Sequence, residues 1–435
     1  MQLKRKSIGT SLAAATATLL GNSAPSAVLA QELTPWKFDT ATLYYGESDS
    51  RVRDFSINAL ASKEVKEESL LNLRLALDTL TGASPSGAVP ANTVQTFTTP
   101  SGGSSYLVAA GESPLDTSFL DTRVAISSNY SWPVTRLTTL DVGMSLSDEY
   151  DYTHTGVNMK LARDFNNRNT TMSFGLAFAS DTVDPVGGAP IGLTPMMSGA
   201  ADPDGGAKRG SQSKDVTDFL LGVTQVINRK TLIQFNYSLS QSDGYLSDPY
   251  KILSVVDSVL GDPIAAPSGI GLDYLYLFEQ RPDTRDKQGL FGLLKRDVGG
   301  NVFDISYRYM TDDWDIDSHT VDMHYRWNLD RGSYLQPHIR FYSQTAAGFY
   351  RTALFDGDPL PAFATADYRL SEFDAVTIGV KFGKPTERGE ISGRLEFYQQ
   401  TGKASPGSQV GSLASFDLNP ELNAIIAQFS YSFGG

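Results

Sequence analysis

Cysteine is absent from this chain of 435 residues, and histidine occurs only four times. No disulfide can form, so the fold must gain its stability from packing and hydrogen bonding. There is also no run of about 18 apolar residues, which excludes a membrane-spanning helix. Acidic side chains outnumber basic ones by 49 to 36, and the net charge of -13 excludes a nucleic-acid partner, which needs a basic surface.

The first thirty residues have the three-part order of a secretory signal. Lys4 to Lys6 form a positive start, Ser7 to Leu20 form a weakly apolar stretch, and Ala30 ends a short cleavage motif. A short N-terminal helix of the mature fold is the alternative interpretation. We expect residues 1–30 to be removed during export and residues 31–435 to form the mature protein.

Strict alternation of apolar with polar or small residues dominates the mature chain. Leu73, Leu75 and Leu77 alternate with polar and small residues, and Val321, Met323 and Tyr325 continue the same rule late in the sequence. A period of two predicts β-strands with one apolar face. Many of these segments reach about ten residues or more, the length that a tilted strand needs to cross a bilayer.

Sixteen such segments occur, and the lengths of their connections alternate. They lie near 37–46, 52–62, 69–80, 119–132, 137–147, 153–163, 169–180, 215–227, 231–243, 287–296, 302–311, 316–328, 333–345, 369–382, 390–400 and 422–433. Every connection longer than about a dozen residues falls on the same side, as in barrels with short periplasmic turns and long outer loops. The sequence therefore predicts an all-β fold, a single antiparallel transmembrane barrel of about sixteen strands with long extracellular loops. A soluble sandwich has no reason to segregate its loops in this way.

Several motifs resemble one uncharacterised family of exported proteins from Gram-negative bacteria, classed as a domain of unknown function. The motifs are L-T-G-A-S-P-x-G-A at 80–88, G-Y-L-x-D-P-Y-K at 244–251, and shorter stretches at 308–320, 334–340 and 367–370. The resemblance covers essentially the whole mature chain and implies a barrel in the outer membrane. It also implies a link to flavin-transferring maturation enzymes and small lipoproteins, and so to an extracytoplasmic redox system.

The inward faces of the predicted strands carry charges of both signs, with basic groups slightly in excess. The candidate lumen-lining residues are Arg74, Arg123, Arg308, Asp322, His324, Arg326, His338, Arg340 and Arg394. The turn Asp330-Arg331-Gly332, with positive φ at Gly332, sets the register of one hairpin. That register places His324 opposite His338 and Asp322 opposite Arg340.

Two facing imidazoles beside a carboxylate can hold a metal ion or shuttle protons. The more ordinary interpretation is a hydrogen-bonded lining of the lumen. Without cysteine or a third converging histidine, we expect no structural metal site and no cofactor.

The connection 244–286 is the candidate constriction of the barrel mouth. Asp248, Tyr250 and Lys251 open it, and Asp248-Pro249 is a helix-start signal. The apolar residues of 252–260 follow at roughly helical spacing. Such an apolar segment is expected to fold into the mouth or against a partner.

Two functions remain open after these observations. The first is a porin-like passive channel for small polar solutes, because a barrel of sixteen strands is wide enough for a water-filled lumen. The second is a non-conducting scaffold that docks a small periplasmic or surface lipoprotein of a flavin or redox system. We expect no enzyme, since no hydrolase motif or phosphate-binding loop occurs. The remaining expected partners are outer-membrane lipid, lipopolysaccharide and the barrel assembly machinery.

Overall fold

The computed structural model describes residues 35–48, 51–98, 105–197, 208–403, 409–419 and 421–434. The predicted signal segment 1–30 lies outside these residues. Within them, no helix has the length and apolar character needed to cross a membrane.

Strands make up almost all of the regular structure. In chain order, the described strands are β1 (Lys37–Glu47), β2 (Val52–Lys66), β3 (Ser69–Pro85), β4 (Gln95–Thr98), β5 (Ser105–Val108), β6 (Leu115–Thr135), β7 (Thr138–Asp148), β8 (Tyr152–Phe165), β9 (Thr170–Val183), β10 (Ala189–Pro190), β11 (Lys208–Arg209), β12 (Gln212–Asn228), β13 (Thr231–Gly244), β14 (Ile252–Val256), β15 (Tyr276–Phe278), β16 (Thr284–Val298), β17 (Asn301–Asp312), β18 (Asp317–Asn328), β19 (Tyr334–Gln344), β20 (Leu354–Phe355), β21 (Phe373–Thr386), β22 (Gly389–Gly402) and β23 (Leu422–Gly434). Short 3₁₀ turns occupy Asp330–Gly332, Tyr368–Leu370 and Gly411–Ser415.

Sixteen of these strands close into one antiparallel barrel. Their order around the barrel is β1, β2, β3, β6, β7, β8, β9, β12, β13, β16, β17, β18, β19, β21, β22 and β23. The last strand pairs with the first, so that Phe38 lies opposite Phe433 and their rings stack 5.3 Å apart. Closure removes both sheet edges, which is what allows strands to span lipid. The predicted all-β barrel and its sixteen strands are confirmed.

Apolar side chains cover the outside of the barrel. Leu73, Leu75 and Leu77 of β3 are each about two-fifths exposed, whereas Asn72 and Ala76, on the opposite face of the same strand, are buried. The same alternation runs through the other barrel strands, as the period of two requires. The outward face is therefore suited to lipid, and the polar face lines the interior.

The turn at Asp330–Gly332 sets the register that the sequence predicts. His324 lies opposite His338, Asp322 lies opposite Arg340, and the backbone N–H of Leu329 donates to the carbonyl of Ser333 at 2.8 Å. Arg331 has φ 58° and Gly332 has φ 75°, so two successive residues, and not the glycine alone, adopt the left-handed conformation.

The long connections contain strands that the sequence pattern did not reveal. The predicted helix within 252–260 is wrong, because Ile252–Val256 forms β14, which pairs with β15 and with β20. All five residues of β14 are buried, so the strand is covered on both faces and lacks the alternation that marks the barrel strands.

Candidate functional site

The interior of the barrel is hollow enough for water to reach charged side chains. Arg74 of β3, Arg308 of β17 and Arg340 of β19 lie on the inner face of their strands, and all three are exposed. Because the closed barrel surrounds them, the space that these side chains face lies inside the lumen. Positive charge therefore faces water on two sides of the interior.

The other inward arginines are held by neighbours. Arg123 forms an ion pair with Asp78. Arg326 stacks over the ring of Tyr334 at 3.6 Å. Arg394 donates to Gln428 at 2.6 Å and lies 3.7 Å from Glu396. Each of these three guanidinium groups is therefore held by a side chain of its own strand or of a neighbouring one.

The structure brings three of the predicted lumen residues together on the hairpin of β18 and β19. The rings of His324 and His338 stack with centroids 4.2 Å apart and planes at 1°. Asp322 lies beside both rings, with Oδ1 at 3.0 Å from Nδ1 of His324 and Oδ2 at 3.2 Å from Nε2 of His338. We call Asp322, His324 and His338 the imidazole pair cluster.

Two further carboxylates hold this cluster from outside. Nδ1 of His338 is 2.8 Å from Oε1 of Glu396, and Nδ1 of His324 is 3.3 Å from Oδ1 of Asp304. Glu396 belongs to β22 and reaches His338 across β21, where Gly379 lies directly opposite both residues. The cluster and its two supporting carboxylates thus draw side chains from four strands, β17, β18, β19 and β22.

A second polar cluster, which the sequence pattern did not reveal, lies near the outer ends of β7, β8, β9 and β12. Oγ of Ser145 is 2.9 Å from Nε2 of His154, and Nδ1 of His154 is 2.7 Å from Oδ1 of Asp181. The ammonium group of Lys214 lies 2.8 Å from Oδ2 of Asp181, and the hydroxyl of Tyr152 also donates to Asp181. The sequence offered one signal for this cluster: its residues occupy inward-facing positions near the same end of neighbouring strands.

The order serine, histidine, aspartate is also the order of a hydrolase triad. In such a triad the carboxylate stabilises the histidine when it becomes charged. Here Lys214, buried with Asp181, already neutralises that carboxylate. The geometry therefore favours a structural bridge between strands over a nucleophilic site.

The outer mouth of the barrel is covered by a layer that we call the outer cap. It consists of the described residues of the connections 86–114, 184–211, 245–283, 345–372 and 403–421. Phe97, Met196, Ile252 and Tyr276 come from three of these connections and share one buried apolar cluster. The cap therefore has a core of its own.

Contacts within the cap span the full width of the barrel. In the ring of sixteen, β9 is the seventh strand and β22 the fifteenth, so the loops that follow them start on opposite sides. The N–H of Leu193 in the first loop donates to the carbonyl of Phe278 at 2.9 Å, and that of Ser412 in the second donates to Leu260 at 2.7 Å. Both acceptors belong to the connection 245–283, which thus bridges the mouth.

The predicted constriction residues form part of a buried ion network inside the cap. Asp248 accepts from Arg369 at 2.6 Å, the ammonium group of Lys251 donates to the carbonyl of Pro85 at 2.6 Å, and Tyr250 donates to Asp151 in the turn before β8. All three constriction residues are buried, and they therefore help to hold the cap together and do not project into an open pore.

Asp367 is the centre of this network. Burial alone would raise the pKa of Asp367, yet the positive charges of Arg369, Lys251 and Arg281 hold it well below its usual range. Glu279, also buried, has a raised pKa because desolvation outweighs the attraction of Arg281. Both groups depend on the arginines that contact them.

A family model described as "Protein of unknown function (DUF3570)" matches residues 9–433. Among curated proteins, none has a matching sequence. Three solved structures illustrate the similarity of fold. OccK5 (OpdH) of Pseudomonas aeruginosa is 7% identical with a TM-score of 0.39, covering 92% of this chain and 98% of its own. A bacterial polysaccharide outer membrane secretin is 8% identical with a TM-score of 0.44, covering 93% and 100%. The siderophore receptor PirA of Acinetobacter baumannii is 8% identical with a TM-score of 0.40, covering 85% of this chain and 53% of its own.

Proposed function

Since the chain belongs to the DUF3570 family, whose description names no activity, we propose from its geometry that it is a porin-like outer-membrane channel for small polar solutes. The observation that supports this proposal is the set of solvent-reached arginines on the inner wall, at Arg74, Arg308 and Arg340. A wall that is charged, hydrated and closed to lipid is what a polar solute requires to cross the bilayer.

The exposed guanidinium groups give the lumen its selectivity in this proposal. Charges that line a narrow aqueous passage attract ions of the opposite sign and repel those of the same sign. Small anionic solutes, such as carboxylates, are therefore the favoured class. The overall negative charge of the chain does not oppose this preference, because the local charge of the wall acts on the solute.

The outer cap makes the channel gated. Its buried apolar clusters and ion network bridge opposite rims of the mouth, so solutes pass only when the connection 245–283 moves. The described turns at the other end span two to five residues between strands and are too short to cover a mouth of sixteen strands. Access is thus controlled from the outside.

Planar-bilayer recording tests the proposal. We expect the purified full chain to show rare openings, and a variant lacking residues 250–282 to conduct steadily with a preference for anions. The double variant Arg308→Gln/Arg340→Gln in that deletion background should shift the reversal potential towards equal permeability. Arg331→Gln, which removes one exposed charge in the turn outside the lumen, is the control and should leave the reversal potential unchanged.

Absence of conductance from both the full chain and the deletion variant would contradict the channel. That result would favour a second function, a scaffold that docks a small lipoprotein of an extracytoplasmic flavin or redox system. The observation in its favour is the closure of the outer mouth by a well-packed cap. Copurification of a small lipoprotein with the full chain, lost when 250–282 is deleted, would support docking at the cap.

A further inference from the structure

We propose that the imidazole pair cluster is a binding site for one divalent transition-metal ion. The three side chains each offer one ligand atom, and these atoms all lie within 4.8 Å of one another. Asp322 supplies a carboxylate oxygen, and His324 and His338 supply ring nitrogens from the adjacent strand positions that the hairpin register fixes.

The spacing of the ligand atoms suits a metal ion in place of the hydrogen bonds now seen. Asp322 lies 3.0 Å from the ring nitrogen of His324 and 3.2 Å from that of His338. In a tetrahedral site with bonds of about 2.0–2.1 Å, neighbouring ligand atoms are about 3.3 Å apart. The stacked rings must turn out of their parallel arrangement so that both nitrogen lone pairs point at one ion, and the three ligand atoms, all within 4.8 Å of one another, are close enough to meet around it.

The charges of the surroundings favour a cation at this position. Three carboxylates, those of Asp304, Asp322 and Glu396, converge on the two rings. A divalent ion held between the two rings balances the negative charge of these carboxylates.

Carboxylates outside the cluster already contact the two histidine rings and can orient them for a metal ion. Metal-binding histidines commonly donate their second ring N–H to a carboxylate, which fixes the tautomer and the ring orientation. Glu396 occupies that position for His338, since it contacts Nδ1 at 2.8 Å and leaves Nε2 facing Asp322. Asp304 lies beside His324 and offers a further oxygen.

The donor set also indicates the class of metal. Two imidazole nitrogens and one carboxylate oxygen suit Zn²⁺, Ni²⁺, Cu²⁺ or Fe²⁺, whereas Mg²⁺ and Ca²⁺ prefer oxygen ligands alone. The side chains of His324 and Asp322 are 29% and 25% exposed to the lumen, so an ion can enter and leave through water. The site therefore fits an exchangeable ion better than a permanent structural one.

Titration calorimetry of the purified full chain with Zn²⁺ tests the proposal, using protein that carries no polyhistidine tag. We expect one ion per chain at neutral pH and no heat from Mg²⁺ or Ca²⁺. His324→Ala and His338→Ala should each abolish measurable binding, and Glu396→Gln should weaken it by about 10–100-fold. His319→Ala is the matched control, because this exposed histidine contacts Tyr307 on the outer face and should leave binding unchanged.

Heat-modifiable gel mobility shows whether each variant retains its folded barrel, and Co²⁺ provides a spectroscopic readout of coordination by the same ligands. No uptake of Zn²⁺ by the wild-type chain overturns the proposal. Uptake that survives in a folded His324→Ala/His338→Ala double variant overturns it equally. Both measurements are independent of conductance, so the site can fail while the channel stands.

Discussion

Gly379 lies directly beneath Glu396, and a Cβ atom at position 379 would be 2.3 Å from Cγ of the glutamate. The contact exists because Glu396 crosses β21 to reach His338 on β19. Because Gly379 has no side chain, Glu396 can pass over β21 and contact His338 of the imidazole pair cluster.

Gly379→Ala is therefore expected to displace Glu396 and to destabilise the barrel by about 1–3 kcal/mol, as overpacking does elsewhere. The change in stability is measured as the urea concentration at which half of the protein loses its heat-modifiable gel mobility. Gly393→Ala on the neighbouring strand is the control, because no atom lies within 4 Å of a Cβ there. Equal effects of the two substitutions would show that Gly379 has no special packing role.

The two faces of the β18–β19 hairpin can be distinguished by thiol labelling, since the chain contains no cysteine. We expect His324→Cys, His338→Cys and Arg340→Cys to react with a charged, water-soluble maleimide in lipid vesicles, because they face the lumen. Met323→Cys, Ile339→Cys and Phe341→Cys should be shielded by lipid. A one-residue slip would exchange the two sets, and it would place Arg340 in the bilayer at a cost of about 2–4 kcal/mol.

We expect Asp151 to make opening of the cap depend on pH. Burial raises the pKa of Asp151 to about 6, although the hydrogen bond from Tyr250 opposes that change. Glu149 and Asp248 also face this carboxyl group and add negative charge. A raised pKa means that the capped form holds the proton more tightly, so this stabilisation of the cap is present at low pH and is lost as the pH rises through about 6.

We therefore expect the open probability in bilayer recordings to be higher at pH 7.5 than at pH 5. In Asp151→Asn the side chain no longer ionises, and the dependence should become flatter. An unchanged pH profile in that variant would assign the effect to Glu149, Asp248 or another group.

Lys214 and Asp181 form an ion pair that is almost fully buried, with side chains 2% and 0% exposed. Lys214→Met should leave the carboxylate without its cation and destabilise the barrel by about 3 kcal/mol, because unpaired buried charge is costly. The urea midpoint is again the measurement. Lys403→Met removes an exposed ammonium group that pairs with Glu372 and Asp374, and it should cost less than about 1 kcal/mol. A similar loss in both variants would contradict this account.

The sequence alone determined the number of barrel strands, their faces and the register of the β18–β19 hairpin. The strands and their faces follow from the period of two, and the register follows from the turn that joins the two strands. A slip of one residue would move a whole set of charged side chains into lipid. On β18, Val321, Met323 and Tyr325 share one face, whereas Asp322 and His324 share the other. The strand therefore has only one acceptable orientation, with the first face towards lipid. The pairing of His324 with His338 followed from the same register and the turn beside it.

Only the tertiary structure decided how the polar groups meet across non-adjacent strands and how the loops fold. Glu396 reaches His338 because β21 carries a glycine at the crossing point, and the distance between them depends on the curvature of the closed barrel. The segment 252–256 is a strand because partners distant in sequence, at 276–278 and 354–355, supply its hydrogen bonds. A short segment buried on both faces has no periodicity that distinguishes a strand from a helix, so its structure is set by the partners that the barrel brings to it.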